Sequence, residues 1–188
     1  MKRQLDTTQK LYTLCMLVQD VPGVLSQVAR LFSRKGYNIE SLAVGTTDDP
    51  AVSRITIEVL CDDAMIEQIM NQLRKLFPVY SVQELLPERS IRRELVMFKV
   101  QAETADVRNE VIQIANIFRA SIIDVSVKSL TLALIGDETK AGAMQRLLES
   151  FGILEMVRTG MVALERGAFT IEDETKEMTE FNLGKNVL

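Results

Sequence analysis

The chain has 188 residues, 47% of them hydrophobic, which is enough to bury the core of one large domain or of two small ones. Its formal net charge of −4, without a clustered basic stretch, argues against nucleic acid or an anionic membrane as partner. It contains no histidine, which removes the usual general base, the histidine-dependent triads and the commonest metal ligand.

The sequence carries no targeting or membrane-spanning segment. No apolar run approaches the roughly 20 residues that span a bilayer, and the polar start MKRQLDTTQK lacks the apolar part of a signal peptide. We therefore expect a cytoplasmic protein, in which Cys15 and Cys61 stay reduced and pack as small hydrophobic residues.

The first half of the chain alternates between strand and helix periodicity. The predicted elements are a strand over Leu11–Gln19, a helix from Val24 ended by Gly36, strands over Ile39–Thr46 and Ser53–Cys61, a helix capped by Asp62 or Asp63, and a strand over Val79–Leu86. In the third strand Ile55, Ile57 and Val59 alternate with Arg54, Thr56 and Glu58, which predicts one dry face. The order is βαββαβ.

The same order returns after LLPERS. The predicted elements are a strand over Glu94–Ala102, a helix capped by Thr104, a hairpin of Ser121–Val127 and Leu130–Ile135, a helix ended by Gly152, and a long strand over Ile153–Glu165. Each half matches the ferredoxin-like plan, in which two helices cover one face of an antiparallel sheet and the other face needs a partner. We predict an α+β protein with an N-terminal extension (1–10), two consecutive ferredoxin-like domains (11–87 and 88–167) and an acidic tail (168–188).

Motifs for catalysis are absent from the sequence. It has no G-x-G-x-x-G opening a helix, no G-x-x-x-x-G-K-[ST] and no C-x-x-C, and its paired aspartates are typical of turns and helix caps. We expect no active site, no metal site and no cofactor bound by this chain.

The turn Asp20-Val-Pro-Gly, between the first strand and the first helix, is the most distinctive feature. The amides of Gly23, Val24 and Leu25 lie at a helix N-terminus, where free N–H groups and the helix dipole attract a carboxylate. Gly23 has no side chain to block the approach of a ligand. The alternative is that Asp20 caps its own helix.

The second strand of this fold lies at a sheet edge, where it can pair with the same strand of a second copy. That pairing would bring Asn38 of one protomer to the first turn of its neighbour and create a pocket between subunits. The Asn38 amide could hold the charged end of an amino acid, with Val24, Leu25 and Ile39 as an apolar wall. The alternative is that Asn38 is an ordinary turn residue.

These residues also carry a resemblance. Asp20, Gly23 and Leu25 match the first-turn pattern D/N-x-x-G-x-L of the ACT domain, a ferredoxin-like amino-acid sensor. More specifically, four stretches resemble the small regulatory subunit of acetolactate synthase: LFSRKGYNIESLAVG, TTDDPAVSRITIEV, NIFRASIIDVS and RTGMVALERG. The resemblance extends over Leu11–Gly167.

The resemblance implies a non-catalytic regulatory subunit of branched-chain amino-acid biosynthesis. It would activate a separate catalytic subunit, the transferase that holds thiamine diphosphate, Mg and FAD, and would confer feedback inhibition by valine. The valine site carried over from the family consists of Asp20, Gly23, Val24 and Leu25 of one protomer with Asn38 and Ile39 of the partner subunit. Many members have Asn where this chain has Asp20, which could accept hydrogen bonds from the ammonium group of valine but would repel its carboxylate.

Two alternatives to this function stay open at the level of the sequence. One is a stand-alone ACT-type sensor that acts on another enzyme or on transcription, although the chain has no basic recognition helix for DNA. The other is an enzyme in its own right.

Overall fold

Residues 9–171 are described by a computed structural model, and the statements below concern these residues. The first βαββαβ unit contains β1 (Lys10–Gln19), α1 (Val24–Lys35), β2 (Ser41–Thr46), β3 (Val52–Cys61), α2 (Asp63–Leu73) and β4 (Val79–Glu84). Its antiparallel strands lie in the order β2-β3-β1-β4, so β2 is an edge strand, as predicted.

The second unit repeats the plan. It contains β5 (Ser90–Gln101), α3 (Ala105–Phe118), β6 (Ser121–Val125), β7 (Ser129–Gly136), α4 (Glu138–Leu148), a 3₁₀ turn (Glu149–Phe151) and β8 (Ile153–Arg158). The antiparallel strands lie in the order β6-β7-β5-β8. The predicted α+β fold of two ferredoxin-like domains is therefore confirmed.

Local sequence signals set the ends of the helices. Gly36 ends α1 in the left-handed conformation, with φ of 72°, and its amide donates a hydrogen bond to a backbone carbonyl of the preceding turn. The Asp62 carboxylate caps α2, because it accepts from a backbone amide of the first turn at 2.7 Å. The Thr104 hydroxyl caps α3 in the same way at 3.3 Å.

Each unit buries an apolar core between its helices and one sheet face. In the first unit Leu14, Met16 and Val18 point into this core, because alternate residues of a strand share a face. Cys61 is buried in the same core, and Cys15 points to the opposite face; both are free cysteines, and burial raises the pKa of each thiol to about 11. In the second unit the corresponding core is built around Val96, Phe98 and Val100 of β5.

The prediction of one long strand over 153–165 is wrong. β8 ends at Arg158, and Gly160, with φ of 85°, lies between it and a further strand, β9 (Val162–Glu165), which pairs with β5. Residues 163–171 belong to the first compact unit, which otherwise ends at Ile91, whereas the second unit comprises Arg92–Val162. These limits differ from the expected second domain, 88–167.

The returning segment, residues 163–171, covers part of the helix-free face of the first sheet. Ala163 and Ile171 are buried against Cys15, Leu17 and Leu85. The Arg54 guanidinium donates to the Ala163 carbonyl at 2.8 Å. Residues 168–171, expected to begin a loosely held tail, are therefore attached to the sheet at Ile171; the rest of the expected tail, 172–188, and residues 1–8 of the expected extension lie outside the described residues.

This face is also less exposed than strand alternation suggested. Thr56 and Glu58, on the polar side of β3, are 3% and 7% exposed. The Thr13 hydroxyl of β1 lies 3.4 Å from the Glu58 carboxylate and donates to it. Both faces of the first sheet are thus largely buried in its central strands.

None of the helices within residues 9–171 is long and apolar enough to cross a lipid bilayer.

Candidate functional site

The chain leaves β1 through a turn that is fixed by the backbone. The Gln19 amide donates to the carbonyl of Pro78 and the Asp20 amide to that of Ala51, both at 2.8 Å. Gly23 then takes φ of 92°, a left-handed conformation that favours glycine, and α1 begins at Val24. A Cβ atom built on Gly23 would have no heavy atom within 4 Å, so the turn is open to the outside.

The helix N-terminus lacks internal hydrogen-bond partners, as the sequence predicted. Within the described chain, no acceptor lies in hydrogen-bond range of the amides of Gly23, Leu25 and Ser26. The Val24 amide, expected to be free, makes a long bond of 3.5 Å to the Val21 carbonyl. The unpaired donors and the helix dipole make this turn a suitable position for a carboxylate.

Asp20 does not cap α1, so the alternative reading of this residue is wrong. The helix has no side-chain cap, and the Asp20 carboxylate instead accepts from the Ser53 hydroxyl of β3 at 3.2 Å. This contact directs one carboxylate oxygen of Asp20 to β3. Asp20 is exposed, so its oxygen atoms are accessible to a cationic group of a ligand.

The side chains of the two residues that follow Gly23 point in different directions. Val24 is 4% exposed and packs in the core, so it cannot form the expected apolar wall and contributes only its backbone. Leu25 is 41% exposed and is available to a ligand. The sequence alone did not show that the two side chains point in different directions, because both residues fit the apolar stripe of a helix.

Asn38 and Ile39 lie on the connection between α1 and β2, before the first residue of that strand. The side-chain amide of Asn38 is exposed and donates to the Glu40 carboxylate, and Ile39 packs partly against the core. This connection follows the far end of α1, whose 12 residues span about 18 Å. One protomer therefore does not bring Asn38 to its own Gly23 turn, and a composite pocket requires a second copy.

A groove beside the turn was not predicted. It has a volume of about 620 Å³ and is lined by Gly23, Ser26, Gln27, Arg30, Arg34 and Leu76. Its first five lining residues follow helical spacing along α1, and Leu76 comes from the connection after α2. The i, i+4 pair of arginines was the signal in the sequence that could have indicated this groove.

The described residues contain no cluster of acidic or cysteine side chains that could hold a metal ion.

Comparison with known proteins connects these features to a family. A model described as the small-subunit-like ACT domain of acetohydroxyacid synthase (AHAS) matches residues 14–81, and one described as the small subunit of acetolactate synthase matches residues 93–167. An acetolactate synthase small subunit of Mycobacterium bovis is 51% identical over 158 residues, which cover 84% of this chain and 94% of the relative. This chain belongs to the family of acetolactate synthase small subunits.

Other members of the family agree over a similar extent. A small subunit from Aquifex aeolicus is 44% identical over 160 residues, which cover 85% of this chain and 83% of the relative. The crystal structure of the acetolactate synthase small subunit from Thermotoga maritima superposes with a TM-score of 0.78 at 38% identity, covering 85% of this chain and 99% of that one. The chain is thus a regulatory subunit with a catalytic subunit as partner, and its first domain is of the ACT type.

Proposed function

We propose that this chain activates a separate acetolactate synthase catalytic subunit and makes it sensitive to feedback inhibition by valine. Valine binds between the N-terminal units of two protomers of a homodimer. The catalytic subunit supplies thiamine diphosphate, Mg and FAD, whereas this chain binds no cofactor and has no active site. The assembly works in the cytoplasm.

The observation that carries the proposal is the open left-handed turn at Gly23. Three unpaired amides at the start of α1 match the two oxygens of an amino-acid carboxylate, and the exposed Asp20 carboxylate matches an ammonium group. The exposed Leu25 side chain offers an apolar contact to an aliphatic side chain. Asn38 and Ile39 of the partner subunit complete the pocket.

The edge position of β2 supports the dimer. One side of β2 pairs with β3, and no described strand pairs with its other side, so its backbone groups can pair with β2 of a second copy. Valine that bridges two protomers would then favour one arrangement of the dimer over another. Inhibition follows if that arrangement activates the catalytic subunit less, and couplings of this kind are typically about 1–3 kcal/mol.

The first experiment is reconstitution with the catalytic subunit, followed by measurement of acetolactate formation. We expect no turnover by this chain alone, faster turnover by the mixture than by the catalytic subunit alone, and inhibition of the mixture by valine. Appreciable turnover by the isolated chain would overturn the regulatory assignment.

The site is tested by a matched pair of substitutions. Gly23→Ala and Gly23→Asp both strain the left-handed turn, by about 1 kcal/mol for Ala and less for Asp, but only Asp adds a negative charge beside the free amides. We expect Gly23→Asp to abolish valine inhibition and Gly23→Ala to retain most of it, with activation kept in both. Unchanged inhibition in Gly23→Asp would place the site elsewhere.

The composite nature of the pocket is tested by mixing variants. Gly23→Asp and Asn38→Ala protomers should each bind valine poorly, because each destroys one half of every site. In a mixed dimer one site carries both changes and the other is intact, so random exchange of protomers should restore about one quarter of the sites. Calorimetric titration with valine measures this recovery, and no recovery would argue against a site shared between protomers.

A further inference from the structure

The exposed side of α1 is strongly basic. The helix carries Arg30, Arg34 and Lys35 and no acidic residue. Arg30 and Arg34 lie one turn apart in the groove that begins at Gly23. Neither guanidinium makes a hydrogen bond or an ion pair within residues 9–171. The groove therefore presents two uncompensated positive charges next to the proposed carboxylate position.

An acidic segment of this chain follows Ile171, which packs on the helix-free face of the sheet that α1 covers from the other side. Ile171 is fixed against Cys15 and Leu17, and Leu17 lies two residues before the end of β1. Residues 172–180, EDETKEMTE, contain five acidic residues, Glu172, Asp173, Glu174, Glu177 and Glu180, and one basic residue, Lys176. An extended chain advances about 3.3 Å per residue, so eight residues span about 26 Å, which exceeds the roughly 15 Å from a sheet to the outer side of a helix packed on it.

We propose that the acidic segment 172–180 of this chain binds in the basic groove of α1 and competes there with the effector carboxylate. Charge complementarity and the reach of the chain beyond Ile171 favour this occupant. The competition rests on the proposed function, since it concerns the same turn. The binding of the segment to the groove does not depend on that function.

A tethered ligand acts at an effective concentration of about 1 mM when its linker is short. If the free segment binds with a Kd of about 0.3 mM, the tether reduces the apparent affinity of the groove for a competitor by about fourfold. Surface ion pairs of this kind are screened by salt, so the effect should shrink as the ionic strength rises.

The test uses the full-length chain with a neutral tail, made by changing Glu172, Glu174, Glu177 and Glu180 to Gln and Asp173 to Asn. A fluorescent peptide of residues 172–188 is titrated into this variant and followed by anisotropy. We expect saturable binding that weakens in 0.5 M salt and is lost when Arg30→Glu and Arg34→Glu are added. Lys35→Glu, on the same helix but outside the groove, is the matched control and should retain binding.

No saturable binding, or binding that survives Arg30→Glu with Arg34→Glu, overturns the proposal. A second measurement compares valine affinity by calorimetry, where we expect the neutral-tail variant to bind about fourfold more tightly than the wild-type chain. Equal valine affinities would overturn the competition. If valine binds neither chain while the peptide binds, the proposed function fails and the groove assignment stands; if valine binds and the peptide does not, only the groove assignment fails.

Discussion

The ion pair between Glu94 and Arg158 gives the sharpest prediction about stability. Arg158 Nη1 lies 2.9 Å from Glu94 Oε1, and the two side chains are 33% and 5% exposed. Burial raises the pKa of Glu94, and the Arg158 charge partly offsets this by lowering it. Arg158→Met keeps an aliphatic stem and leaves a buried carboxylate without its cation.

Breaking a fully buried pair by removing one partner costs about 3–5 kcal/mol. Because a third of Arg158 is exposed, solvent compensates part of this loss, and we expect Arg158→Met to destabilise the chain by about 2 kcal/mol at pH 7. Without the arginine the pKa of Glu94 rises further. The folded state then takes up a proton more readily than the unfolded chain does, so the loss should shrink as the pH falls towards the ordinary value of 4.5.

The assay is urea unfolding followed by circular dichroism at pH 7 and pH 4. The double variant Glu94→Gln with Arg158→Met carries neither charge and should recover more than half of the loss at pH 7. An equal loss at both pH values, or no recovery in the double variant, would show that the unpaired carboxylate is not the cause.

Three further predictions concern other parts of the fold. Ile171→Ala should cost about 2 kcal/mol and make Cys15 reactive towards a thiol reagent at neutral pH, while Cys61, in the core beneath the helices, stays protected. Asp62→Ala removes the cap of α2 and should lower the free energy of unfolding by about 1 kcal/mol, measured in urea. Arg108→Met removes three hydrogen bonds to carbonyl groups at 102, 126 and 127, so amide hydrogen exchange should accelerate in the turn between β6 and β7 more than elsewhere.

The local elements could be predicted because their signals are local. Helix α1 begins at Val24 and ends before Gly36, where apolar spacing and a glycine marked its limits. The Asp62 and Thr104 caps were likewise visible in the sequence. Such signals act through the backbone of one turn and need no tertiary contact.

The return of the chain at Ala163 could not be predicted in this way. The residues on both sides of Gly160 favour strands, and the choice between one strand and two depends on which neighbours each pairs with. The burial of Thr56 and Glu58 could not be predicted either. Polar side chains indicate a solvent-exposed sheet face unless the segment that covers that face is known.

At the candidate site the sequence predicted the backbone better than the side chains. The open turn at Gly23 and the unpaired amide of Leu25 follow from glycine and helix chemistry. The inward direction of Val24 and the bond from Ser53 to Asp20 depend on how α1 and β3 pack, which one-dimensional spacing does not specify. The site proposed between two protomers stays a prediction.

The first compact unit is discontinuous in sequence, because residues 163–171 belong with residues that precede Arg92. On the ribosome, the N-terminal sheet must therefore wait with Cys15 and Leu17 uncovered until residues 163–171 have been translated. The second unit is continuous and has all its strands available earlier. Nascent chains arrested before residue 163 should consequently recruit chaperones through the unfinished face, and release of the full-length product should end that dependence.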